Sequence, residues 1–164
     1  FTFKKSNNSK FFKKFDIQEV DLIDNNFLIR KKDVKNQLFD EKYFLYFETT
    51  DFATNLKKKG KKLYIAKKIK FHHFGSSSLN SKYINLVKKT RSFHFNWSKF
   101  YFYKKNYNYL YGLKKIYPNL IKAIKKTIIS ALQLNFYNCK LGIIELMGII
   151  TSIFGIKSFY RPNN

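Results

Sequence analysis

Charge divides this chain more sharply than any other feature. Nine of its ten acidic residues lie between Asp16 and Asp51, whereas from Phe52 onward there are 23 Lys and Arg against Glu145 alone. Ion pairs within the chain cannot neutralise that second part. Its cations must face water or something anionic: nucleic acid, a lipid surface or a phosphorylated substrate. The net charge of +23 sits on 164 residues that are 45% hydrophobic and 20% aromatic. That is too apolar for a disordered tail and long enough for one domain with a real core. Phe, Tyr, Ile, Asn and Lys dominate, as A/T-rich codons dictate, so part of the aromatic and lysine excess is codon bias.

Cys139 is the only cysteine, which excludes an intrachain disulfide and a cysteine zinc site. No signal peptide is visible, and no apolar run is expected to reach the roughly 18 to 20 residues of a membrane-spanning helix. The opening at Phe1 fits a fragment or a processed product.

Local patterns predict the following elements. Residues 1–15 read as a lead-in without clear period. Glu19–Lys31 reads as two short β-type runs around the turn-prone Asp24-Asn25-Asn26. "KKDVKNQLF" suits one helical turn. Glu48 to Lys59 suits a helix: Phe52 and Leu56 share a face, Lys57, Lys58 and Lys59 sit where the helix dipole favours cations, and Gly60 follows as a C-cap. "KKLYIAKK" and "IKFHHF" read as strands, and "GSSSLNSK" as a loop. Arg91 to Gly112 reads as an aromatic helix broken at Tyr117-Pro118. Leu120 to Leu134 reads as an amphipathic helix, with Ile121, Ile124, Ile128 and Leu132 facing one way and Lys122, Lys125 and Lys126 another. Leu141 to Ile156 is a second apolar stretch, interrupted by Gly142, Gly148 and Gly155.

Several residues qualify as functional candidates. Glu48 and Asp51 lie at i and i+3, on one face at the start of a helix. Such acids serve either as helix caps or, in partly apolar surroundings like those after Phe44-Leu45-Tyr46-Phe47, as a general base. His72 and His73 are adjacent in a strand and so point to opposite faces. Each is either a packing imidazole or a ligand for a metal or phosphate oxygen. Ser76, Ser77 and Ser78 follow, and their hydroxyls and backbone N–H groups suit an anion. His94–Lys105 interleaves aromatics, including Trp97, with cations, including Lys99. That pattern fits stacking on nucleic acid, a headgroup-level membrane contact, or a packed helix with solvated lysines.

Taken in order, five segments resemble the C-terminal half of a family 2 glycosyltransferase of the bacterial rhamnosyltransferase-like kind. They are "EVDLIDNNFLIRK", "FDEKYFLYFETTDF", "LKKKGKKLYIAKKIKFHHFGSSS", "FHFNWSKFYFYKKNYN" and "FGIKSFYRP", spanning roughly Glu19 to Pro162. The resemblance implies an α/β fold: residues 1–78 as the C-terminal portion of a GT-A, Rossmann-like domain whose nucleotide-binding half is missing, and residues 79–164 as a basic, aromatic-rich extension of amphipathic helices. It implies an inverting displacement from a nucleotide-sugar donor onto a glycan or lipid-diphosphate-linked acceptor in cell-surface polysaccharide synthesis, with Mg²⁺ or Mn²⁺ offsetting diphosphate charge. Glu48 is the implied base and Asp51 the second choice. His73 is the implied metal or diphosphate ligand, and Ser76, Ser77, Ser78, Trp97 and Lys99 are candidates for acceptor or diphosphate contacts.

Two positions depart from the family pattern. Thr49 stands where many relatives carry the Asp usually taken as base, and Asn25 or Asn26 stands near the family's glycine. The Asp-x-Asp metal motif has no counterpart before residue 19, and "DLID" (Asp21–Asp24) has the wrong spacing. The isolated chain is therefore expected neither to bind donor tightly nor to turn over. The expected location is the cytoplasmic side of a bacterial plasma membrane, peripherally attached to anionic lipid. A basic, ribosomal-type nucleic-acid binder is the competing class. It has little use for the acidic cluster beside two histidines, so no nucleic-acid partner is expected.

Overall fold

The computed structural model describes residues 14–23, 26–34, 39–70, 72 and 83–161. The chain forms two compact units, Phe1–Asp40 with Glu48–Ser77, and Glu41–Phe47 with Ser78–Asn164.

In the first unit, strand β1 (Ile17–Val20) pairs antiparallel with β2 (Leu63–Ala66), Ile17 opposite Ala66 and Val20 opposite Leu63. Helix α1 (Glu48–Lys58) supplies the third piece of the core. Phe52, Ala53 and Leu56 pack with Val20 and Leu63, and Ile23, Phe27 and Val34 close around them. Phe27 and Phe39 both stack on Phe52, at 5.9 and 4.7 Å between ring centres. The end of α1 is a Schellman turn. Gly60, at φ 73, donates its N–H to the Lys57 carbonyl at 2.9 Å, and Lys61 donates to Leu56 at 3.0 Å. The single helical turn expected near residue 31 is a 3₁₀ turn, Lys31–Asp33.

The implied Rossmann-like GT-A fold is overturned. The described residues are mostly helical, with only a two-stranded sheet among them. The reason is a lack of ladder partners. The second β-type run, Phe27 to Arg30, is irregular, with Leu28 fully exposed, and Ile69, Lys70 and His72 of the other expected strand are also outside any ladder. A strand persists only where its backbone groups find a neighbour.

The described residues of the second unit form three helices: α2 (Ile84–Asn106), α3 (Tyr109–Leu132) and α4 (Phe136–Ile153). One core layer is Phe93, Trp97 and Ile144, and another is Phe100, Ile116 and Ile149. Asn108 and Asn135 cap α3 and α4, accepting from the N–H groups of Tyr111 at 2.8 Å and Asn138 at 3.1 Å. Pro118 does not end a helix as expected; α3 runs through it. Pro118 and Lys114 are exposed, so water reaches the carbonyl that proline leaves without a helical donor, while buried Ile116 and Ala123 hold the helix on either side.

Gly142 and Gly148 are contact points, not interruptions. A Cβ on Gly142 would strike the Thr127 hydroxyl of α3, and one on Gly148 would strike the Phe93 carbonyl of α2. The α4 backbone therefore touches both neighbours. At 18 residues and mean hydropathy 1.3, α4 is also long and apolar enough to cross a membrane, where the sequence reading expects no such segment; a third of it is buried within this unit.

Two substitutions test this packing. Gly148→Ala should destabilise by about 1–3 kcal/mol through overpacking against backbone, despite alanine's better helix propensity. Pro118→Ala should stabilise by about 1–3 kcal/mol. Denaturant titration reads both.

Candidate functional site

The first turn of α1 carries the acidic pair. Asp51 is buried, 2% exposed, and its Oδ2 accepts from the Asn55 amide at 3.2 Å, one helical turn on. Glu48 is half-buried, and its Oε2 is withdrawn from solvent without a hydrogen-bond partner among the described residues. The helix dipole favours both charges here. Their surroundings nevertheless differ: Asp51 is bonded within the helix, whereas Glu48 Oε2 is buried with no partner among the described residues. Thr49 and Thr50, between them, line a largely apolar cavity of about 1570 Å³ together with Val20, Ile23, Phe27 and Leu63. Glu48 itself does not line this cavity; a general base must lie within hydrogen-bond reach of the proton it takes.

Just before this helix the backbone is unusual. Tyr46 and Phe47 both have left-handed φ, 67 and 66, a conformation costing on the order of 1–3 kcal/mol each outside glycine. Ring contacts within the second unit hold them: Tyr46 against Phe95 at 5.6 Å and Phe47 against Phe102 at 5.4 Å. The Ser98 hydroxyl donates to the Leu45 carbonyl at 2.7 Å.

The second-unit candidates lie inside the packing of α2. Trp97 is 4% exposed and donates its indole N–H to the Ile156 carbonyl at 2.9 Å. Its ring binds α2 to the segment after α4. Lys99 is half-buried and donates to Asn119 Oδ1 at 2.8 Å, and Asn119 in turn donates to Asn96. Burial and then the nearby Lys115 lower the Lys99 pKa. His73, Ser76, Ser77 and Ser78 lie outside the described residues. His72 is exposed and in no strand. Among the described residues no three His, Cys, Asp or Glu side chains converge to hold a metal.

Sequence reading does not single out His94, which is fully buried. Its Nε2–H donates to the Tyr160 carbonyl at 2.8 Å, and Nδ1 accepts from the Ser158 hydroxyl at 3.0 Å, an arrangement that fits the neutral ring. Tyr160 stacks on Phe93, and the Arg161 guanidinium lies 3.6 Å over the Phe44 ring. The only local signal is an apolar-flanked histidine; its partners lie more than sixty positions away.

No protein-family model, curated protein or solved structure matches the chain.

Burial lowers the His94 pKa, the Tyr160 carbonyl opposes this and Arg161 reinforces it. The folded ring thus binds a proton less readily than the unfolded one, whose pKa is near 6.5. Stability should be fully present above that value and fall as pH drops below it toward the lowered folded value. His94→Gln should flatten that part of the profile in urea titrations run across pH.

Proposed function

We propose that this chain carries the acceptor-activating part of an inverting glycosyltransferase, working at the cytoplasmic face of a bacterial membrane on a glycan or lipid-diphosphate-linked acceptor. The observation that carries this reading is Glu48, whose Oε2, in the first turn of α1, is buried without a hydrogen-bond partner among the described residues. A carboxylate held that way is poorly explained as a cap, because a cap would spend the oxygen on a backbone N–H. In the proposed step Glu48 takes the proton from an acceptor hydroxyl. That oxygen forms a bond to the anomeric carbon of the donor sugar, and the bond to the nucleoside diphosphate breaks with inversion. Asp51, bonded to Asn55, fixes the helix start that aims Glu48. Trp97 and Lys99 are bonded to the Ile156 carbonyl and Asn119.

The order of five family-like segments from Glu19 to Pro162 supports the same reaction class. The two-stranded sheet of the described residues is not a nucleotide-binding frame, so these residues serve the acceptor side only. Donor binding would require further protein.

The test compares Glu48→Gln with Asp51→Ala in a transfer-competent protein containing this chain, measuring nucleoside diphosphate release from a panel of nucleotide sugars. As a base, Glu48→Gln should lose on the order of 10²-fold or more in rate while stability holds or rises, since a buried unpaired charge is removed. Asp51→Ala should instead lose about 1–3 kcal/mol of stability by stranding the Asn55 amide. Unchanged turnover in the Glu48→Gln protein, or a stability loss of about 1 kcal/mol with rate intact, would leave Glu48 a helix cap and end the proposal.

A further inference from the structure

Three helices end in the same backbone pattern, and one of them uses the wrong residue for it. The turns after α1 and α4 place glycine at positive φ, Gly60 at 73 and Gly155 at 74. The turn after α3 places Leu134 there, at φ 55. Its N–H donates to the Ala131 carbonyl at 3.0 Å and the Asn135 N–H to Ser130 at 2.8 Å, completing the motif. A Cβ disfavours this conformation. The turn is held by its backbone bonds and the Asn135 cap, while the Leu134 side chain is 73% exposed. Its neighbours are equally open: Leu132 is 80% and Phe136 79% exposed.

The turn is also where two apolar faces meet. On α3 the exposed residues Tyr117, Ile124, Ile128 and Leu132 follow spacings of seven, four and four, which keeps them on one side of the helix. On α4 the exposed residues Phe136, Ile143 and Ile150 recur every seven. The first stripe ends where the second begins. Exposed Lys122, Lys125 and Lys140 flank them. From Ser78 onward Glu145 is the only acidic side chain, and it already accepts from Lys126 at 2.8 Å.

We infer that the α3–α4 turn is a lipid-inserting tip: Leu132, Leu134 and Phe136 enter the acyl boundary of an anionic bilayer, the flanking lysines meet the headgroups, and the two stripes lie in the interface. The chemistry favours this occupant over the others. A second copy of the chain would bring two lysine rims together. A nucleic acid would satisfy the lysines and leave the leucines in water. An anionic lipid surface takes both. Glycine or asparagine would serve the turn itself better, and the exposed leucine side chain is available for a contact outside the chain. The inference deepens the membrane-surface part of the proposal above and rests on it only there; the assignment of Glu48 plays no part in it.

The test is co-sedimentation of the full chain with vesicles of phosphatidylcholine, with and without phosphatidylglycerol. The wild type should bind the phosphatidylglycerol vesicles, bind phosphatidylcholine alone weakly, and lose binding as salt rises. Leu134→Asn combined with Phe136→Ser should cut partitioning by roughly 10²-fold, with the thermal midpoint at or above that of the wild type because the backbone strain is relieved. Glu48→Gln should bind vesicles as the wild type does, so failed sugar transfer with intact vesicle binding counts against the catalytic assignment alone. Vesicle binding by the double variant equal to the wild type overturns the tip. So does a wild type that ignores phosphatidylglycerol vesicles while binding single-stranded RNA or associating with itself through this turn.

Discussion

Backbone contact between α4 and its two neighbours is the constraint on which the helical unit depends. Gly142 opens one side of α4 to α3, and Gly148 opens another to α2. The approach brings the Ile149 layer against Phe100 and Ile116, and the Ile144 layer against Phe93 and Trp97. It also allows Ser152 to donate to the Trp97 carbonyl at 2.8 Å. With larger residues at either glycine, α4 would stand off, and the buried hydroxyls and the indole N–H would lose partners they cannot replace with water.

Within that frame α2 acts as a polar spine in an aromatic setting. Its His94, Trp97 and Ser98 each spend a side-chain hydrogen bond on a segment without regular structure, namely residues 41–47 or the stretch after α4. Such segments have no ladder of their own, and a buried backbone carbonyl needs a donor. Tyr43 on Tyr101 and Tyr160 on Phe93 then seal them with ring contacts. The first unit is held differently, by one small apolar cluster around Phe52 and by ion pairs of Asp21 with Lys57 and Glu19 with Lys62 at its surface.

What the sequence disclosed follows the range of each signal. Helix α1 was legible to within a residue because its start, its apolar face and its glycine stop all lie within thirteen positions. The apolar face of the Leu120–Leu134 segment was legible too, though Ile124, Ile128 and Leu132 turn outward rather than into a core. The acidic pair was found by spacing, but only the fold separates Asp51, bonded within the helix, from Glu48, whose Oε2 is buried with no partner among the described residues. The Rossmann-like sheet was implied by the resemblance of five short segments, and such segments say nothing about whether partner strands are present. Pro118 was misread because packing on both sides outweighs a local breaker. His94 escaped notice because its partners are distant in sequence.

That last separation has a consequence for synthesis. His94 waits 66 positions for Tyr160, and Trp97 waits 59 for Ile156. At translation rates of about 5–20 residues per second, α2 emerges several seconds before the residues that satisfy it. Its imidazole and indole, and the aromatic face around them, meet solvent during that interval. The helix is therefore most vulnerable to chaperones, proteases and premature association while the ribosome is still at work, and the segment after α4 ends that exposure.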